Sequence, residues 1–90
     1  MTQQEWIEKL IQEGYVGVSV CSNEPNTEFP EHTHEETTVH VILDGELTLH
    51  DPDGAHVLHV GERFEIPAGK KHSALCGPQG CTFVVGTKKQ

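Results

Sequence analysis

Two histidines separated by a single residue, His32 and His34, stand in the stretch Phe29-Pro30-Glu31-His32-Thr33-His34-Glu35-Glu36. In extended backbone, alternate side chains point the same way, so these imidazoles share a face with their backbones about 6–7 Å apart. Two imidazoles on one face can converge on one metal ion. A third ligand must come from elsewhere in the chain, and His72 is the best candidate. The pattern predicts a histidine metal site for a divalent transition metal in a small β-barrel.

The elements that must position these residues are legible in the apolar spacing. Residues 2–13 read as a helix. Thr2 with Glu5 three residues on is a capping box. Trp6, Ile7, Leu10 and Ile11 make an apolar stripe at helical spacing, which packs on a sheet or on a partner subunit. Gly14 ends the helix. From Tyr15 onward the chain reads as short strands. Tyr15–Cys21 is β-rich. Ser22 to Asn26 is a loop containing Pro25, and the histidine stretch follows it. Thr37–Leu43 is a strand stopped by Asp44-Gly45, a hairpin signal. Leu47 and Leu49 then face inward. Asp51-Pro52-Asp53-Gly54, Pro67-Ala68-Gly69 and Gly77-Pro78-Gln79-Gly80 are turn signals between the remaining strands. About eight short strands and one leading helix predict a sandwich or barrel.

Composition narrows the function classes. Ninety residues make one domain, 1–90. A domain this small gains stability from a metal or a second copy, and with the apolar helix stripe this predicts a homodimer. There are 14 acidic residues against 6 Lys and Arg, a formal charge of −8, which argues against nucleic acid and anionic membrane as partners. Three cysteines with no CxxC pair fit a reducing cytoplasm better than a disulfide framework, so free thiols are expected at Cys21, Cys76 and Cys81. Pairing of Cys76 with Cys81 across the Gly77–Gly80 turn is the lesser alternative. No apolar leader precedes the helix, and no apolar run reaches the roughly 20 residues of a membrane span.

A second stretch, Gly61-Glu62-Arg63-Phe64-Glu65-Ile66-Pro67-Ala68-Gly69-Lys70-Lys71-His72, has a specific spacing. Glycine, five residues, Pro-x-Gly, two residues and histidine form a loop that turns the chain back and points His72 into the barrel. Here the sequence resembles the cupin superfamily, as a small single-domain member, over residues 15–88. The second cupin motif runs through Gly61, Pro67, Gly69 and His72, with Cys76 in place of its closing asparagine. The first motif keeps His32, His34 and Gly45, with Asn26 at its leading glycine and Thr38 at its glutamate. The resemblance implies a double-stranded β-helix, or jelly-roll, barrel, often dimeric, holding iron, manganese, nickel, zinc or copper.

Thr38 is a poor metal ligand, so the expected carboxylate is missing. On a strand, Thr38, His40 and Ile42 share a face, and His40 points into the same cavity one step further along. The expected ligands are therefore His32, His34 and His72, with His40 as a fourth ligand or a residue lining the pocket. Glu36 is the carboxylate alternative if its loop bulges. His50, His56 and His59 read as surface. Cys76 and Cys81 read as core. A neutral all-histidine set leaves a divalent ion its full charge, which stabilises bound water or an anionic ligand.

Three functions fit these residues. One is a binding or sensor module that holds a metal or small ligand, favoured by the missing glutamate and the few polar cavity residues. The second is a metal-dependent enzyme, a dioxygenase or isomerase acting on a small chelating substrate. Three-histidine cupins include oxygenases of thiols and diketones, but here no general base is evident, with Tyr15 the sole tyrosine. The third is a barrel with a vestigial site.

Overall fold

The computed structural model describes residues 1–89. Helix α1 (Gln3–Gln12) precedes strands β1 (Val16–Asn23), β2 (Glu28–His32), β3 (Thr37–Asp51), β4 (Gly54–Leu58), β5 (Arg63–Ile66) and β6 (His72–Lys88). The capping box forms as expected: Thr2 Oγ1 accepts from the Glu5 N–H at 3.1 Å, and Glu5 Oε1 accepts from the Thr2 N–H at 2.8 Å. All strand pairings are antiparallel, and the whole is a jelly-roll barrel.

Six strands stand where about eight were expected, because two of the turn signals do not reverse the chain. Asp44-Gly45 lies inside β3, and Gly77–Gly80 lies inside β6. The ladder explains both. β3 and β6 stay paired on either side: Ile42 opposite Phe83, Gly45 opposite Cys81, then Leu47 opposite Cys76. Between the last two pairs, β6 spends four residues, Gly77–Gly80, against the single Glu46 of β3, as a bulge. A hairpin signal specifies a tight local bend, and long-range pairing decided that this bend continues the strand.

The bend needs glycine. Gly45 has φ +73°, and a Cβ there would overlap the Gly80 carbonyl oxygen. β3 and β6 thus pass backbone against backbone at the point where the barrel turns. The first half of β3 pairs with β5 and β6, and the second half with β4 and β6. β6 in turn pairs with β2 through its first residues and β1 through its last.

The thiol expectation is overturned. Cys76 and Cys81 are disulfide-bonded across the bulge, with Cα atoms 5.6 Å apart, and Cys21 is free. The antiparallel bulge brings together two positions that the sequence separates by a turn. The core reading of both residues holds, since they are 0% and 3% exposed. The pairing withdraws the cysteine argument for a reducing compartment. Among the described residues, no helix is long and apolar enough to cross a membrane.

Alternation along β3 divides the core in two. Ile42, Leu47 and Leu49 face into the barrel with Leu58, Ile66 and Phe83. Val39 and Val41 face outward and, with Tyr15 and Val84, receive Leu10 of α1. Trp6 and Ile7 pack against the same cluster. Three of the four stripe residues, Trp6, Ile7 and Leu10, therefore pack on the chain's own sheet, while Ile11 stays 56% exposed. A polar clasp fixes the helix end. Arg63 donates to both Glu13 oxygens at 3.0 and 2.9 Å and to Glu65 at 2.8 Å, and the Tyr15 hydroxyl donates to Glu65 at 2.6 Å.

Leu10→Ala is expected to cost about 2–5 kcal/mol in urea unfolding, through a cavity beneath the helix. A loss below about 1 kcal/mol would mean the helix contributes little to the barrel. Gly45→Ala, which adds one methyl to a surface-near bend, is expected to cost about 2 kcal/mol or more from steric overlap and left-handed φ. Wild-type stability of that variant would contradict the close passage of β3 and β6.

Candidate metal centre

His32 is the last residue of β2 and His72 the first of β6, and the ladder pairs them directly. That register joins the two histidine stretches. His34 lies just beyond β2 and is held through its backbone: the Gly69 N–H donates to the His34 carbonyl at 2.8 Å. Gly69 has φ +78°, the left-handed conformation that the Pro67-Ala68-Gly69 turn requires. The Pro-x-Gly loop therefore aims His72 and anchors His34 together.

The three rings cluster at one mouth of the barrel. Ring centroids are 4.3 Å apart for His32 and His72, 4.6 Å for His32 and His34, and 5.1 Å for His34 and His72. One ring nitrogen from each lies within 4.8 Å of the other two. His72 is buried, His32 half-buried and His34 exposed. The donor chemistry fits a metal. His32 Nδ1 lies 2.5 Å from the Pro30 carbonyl oxygen, and His72 Nδ1 lies 2.9 Å from the Lys70 carbonyl oxygen. A carbonyl only accepts, so these nitrogens carry the protons and each Nε2 keeps its lone pair. Partial desolvation, and then the neighbouring His32 and His72 rings, hold His34 below the ordinary imidazole pKa. Its lone pair is correspondingly available near neutral pH.

His40 stands apart from this group of three. It lies on the inward face of β3 and packs edge-on against Phe83, with centroids 5.0 Å apart. With His32 and His72 it lines a cavity of about 60 Å³ under the cluster. Phe29, Leu47, Leu49, Ala74 and Phe83 complete the lining. His40 Nδ1 is buried and makes no hydrogen bond, and the same is true of Thr38 Oγ1. Burial, and secondarily the rings of His72, His34 and His32, lowers the His40 pKa to about 4, so its imidazole is neutral.

The other expected residues fall elsewhere. Glu36 is not in the cluster. His56 Nε2 lies 3.1 Å from Asp51, His59 sits between Glu46 and Glu62, and His50 is exposed. Cys76 does not line the histidine cavity but belongs to the core below it. Tyr15 points its hydroxyl at Glu65 on the outer face, and burial raises its pKa to about 12. Phe83 also lines this cavity, and its alternation with Cys81 and Val85 along β6 is the pattern that turns it inward.

A jelly-roll barrel with three histidines converging at its mouth defines the class of protein. Residues 19–85 match the Cupin_2 family, described as "Cupin domain", and the chain belongs to that family. Solved structures share the fold. A cupin superfamily protein from Desulfitobacterium hafniense is 22% identical with a TM-score of 0.74, covering 81% of this chain and 66% of that one. A structural-genomics protein of unknown function from Rhizobium leguminosarum is 18% identical with a TM-score of 0.76, covering 86% and 76%. The DMSP lyase DddQ from Ruegeria pomeroyi is 19% identical with a TM-score of 0.73, covering 81% of this chain and 38% of the lyase. No curated protein matches the sequence.

A neutral, desolvated His40 has a consequence for titration. Its unfolded pKa is about 6.5 and its folded pKa about 4. Acid therefore protonates the unfolded chain first. The stability that His40 contributes is present above pH 6.5 and is lost as pH falls toward 4. Proton NMR of the metal-free protein is expected to show the His40 ring titrating near pH 4 or unfolding first. A midpoint near 6.5 would mean the ring is solvated.

Proposed function

We propose that this cupin is a binding module that holds one divalent transition metal through His32, His34 and His72, acting as a sensor or ligand-holding protein. The observation that carries the reading is the convergence of three ring nitrogens within 4.8 Å, two of the rings having Nδ1 set against a backbone carbonyl. Imidazole suits iron, nickel, zinc and copper, and manganese stays among the candidates from the family resemblance. Bound there, the ion would supply Lewis acidity undiminished by any carboxylate ligand. The protein's own part is to orient the rings and shelter one side of the site with Phe29, Leu49 and Phe83.

Binding without turnover is supported by what lines the cavity. Among the described residues, the lining includes no carboxylate, tyrosine or lysine to move a proton. Tyr15 is committed to Glu65. A metal-dependent enzyme, of dioxygenase or isomerase type, remains the second reading. It is favoured by the cavity that opens beside the three histidines and by a lyase among the structural neighbours.

Metal analysis by plasma mass spectrometry on untagged, purified protein tests the first claim. About one equivalent of a transition metal is expected, falling at least 10-fold in His34→Ala and His72→Ala. A metal-free wild type that also fails to load on reconstitution would overturn it. Oxygen uptake with thiols, diketones and phenolics separates the two readings, since the binding module consumes none.

A further inference from the structure

We propose that the cavity under the three histidines takes a small aliphatic monocarboxylate, and that His40 is the residue that recognises its carboxylate. The placement of the carboxylate's other oxygen rests on the metal reading above. The size, lining and His40 contact do not.

Size sets the first limit. A water molecule needs about 10–15 Å³ of free cavity. A cavity of about 60 Å³ therefore holds roughly four to six non-hydrogen atoms, the size of propionate or butyrate. Lining sets the second. Apart from the histidines, every lining side chain is hydrocarbon: Phe29, Leu47, Leu49, Ala74 and Phe83. A ligand hydroxyl placed among them would lose its water and find no partner, which disfavours sugars and other polyols. A hydrocarbon tail gains with each carbon it buries there.

The third limit is the unpartnered nitrogen. His40 lines the same cavity, its ring is steadied edge-on by Phe83, and its buried Nδ1 has no hydrogen bond. Buried polar atoms left unpaired are costly, so a ligand that supplies a partner recovers that cost. A carboxylate carries two acceptor oxygens on one carbon. One faces the three-histidine centre while the other accepts from the His40 N–H, and no polar atom need enter among the leucines. An alcohol or a ketone has to meet both sites with a single oxygen, whereas a carboxylate assigns one oxygen to each.

The test uses the 90-residue protein with cobalt(II) as the metal probe and acetate, propionate, butyrate and 3-hydroxypropionate, which is isosteric with butyrate, as ligand probes. Cobalt visible absorption reports the metal centre. Methyl NMR shifts of Leu47, Leu49 and Ala74 report the cavity, with or without metal. Affinity is expected to tighten about 3- to 4-fold per added methylene and to weaken at least about 10-fold for the terminal hydroxyl. His40→Leu is expected to lose about 10-fold in butyrate affinity with the ligand-free cobalt spectrum unchanged, while His40→Gln, which keeps an N–H, stays within about 3-fold. Affinity flat with tail length, wild-type affinity in His40→Leu, or no methyl shifts in either form would overturn the proposal. So would a changed ligand-free cobalt spectrum in His40→Leu, since His40 would then be a metal ligand. Cobalt that fails to bind while the methyl shifts follow tail length would sink the metal reading and leave this one standing.

Discussion

The passage of β3 against β6 at Gly45 and Gly80 is the constraint on which the barrel depends. Two strands of 15 and 17 residues remain paired to each other through both halves of the molecule. That is possible only if each bends sharply without leaving the ladder. Gly45 makes the bend in β3, with no room for a side chain against the Gly80 carbonyl. β6 makes it with a four-residue bulge whose ends the Cys76–Cys81 disulfide ties together. On the inner side of this bend, Leu47, Leu49 and Phe83 close the core. On its outer side, Val39, Val41 and Val84 offer the surface that Leu10 covers.

The histidine cluster is a consequence of the same pairing. β6 begins at His72 and pairs with β2 as well as β3, so whatever fixes β6 also sets His32 opposite His72. The Pro67-Ala68-Gly69 turn then contributes a single N–H to His34. Three side chains from two strands and a loop reach one point without a dedicated scaffold. The orientation of two rings comes from carbonyls of Pro30 and Lys70, each two residues before its histidine. Local backbone thus holds the tautomer, and long-range pairing holds the position.

Beneath the cluster, polarity is rationed. The cavity wall is hydrocarbon with histidine at its polar points. Buried Thr38 Oγ1 and His40 Nδ1 are without hydrogen-bond partners in a core where most such groups are satisfied. Both lie on the inward face of β3, where the family motif carries its glutamate. Replacing a carboxylate by Thr38 removes negative charge from the site. His40 does not restore it, because burial keeps that ring neutral. Among the described residues, the cluster and its cavity are built from histidine and hydrocarbon side chains, in a chain whose formal charge is −8.

Local chemistry made much of this legible in advance. The capping box and apolar stripe defined the helix, because both act within a few residues. The spacing of Gly61, Pro67, Gly69 and His72 defined the loop, because those residues restrict backbone angles wherever they occur. The alternation of Thr38, His40 and Ile42 placed His40 inward, because side-chain direction in a strand has a period of two. What the sequence alone left open was set by contacts between distant segments. Asp44-Gly45 specifies a bend, but only the pairing with β6 on both sides of it makes the bend continue the strand rather than form a hairpin. Cys76 and Cys81 flank a turn signal, but only that bulge brings their sulfurs together. His40 carries the same chemistry as His32, His34 and His72, but only the tertiary structure sets it apart from them. Distance and burial belong to the packed barrel, and no local pattern encodes them.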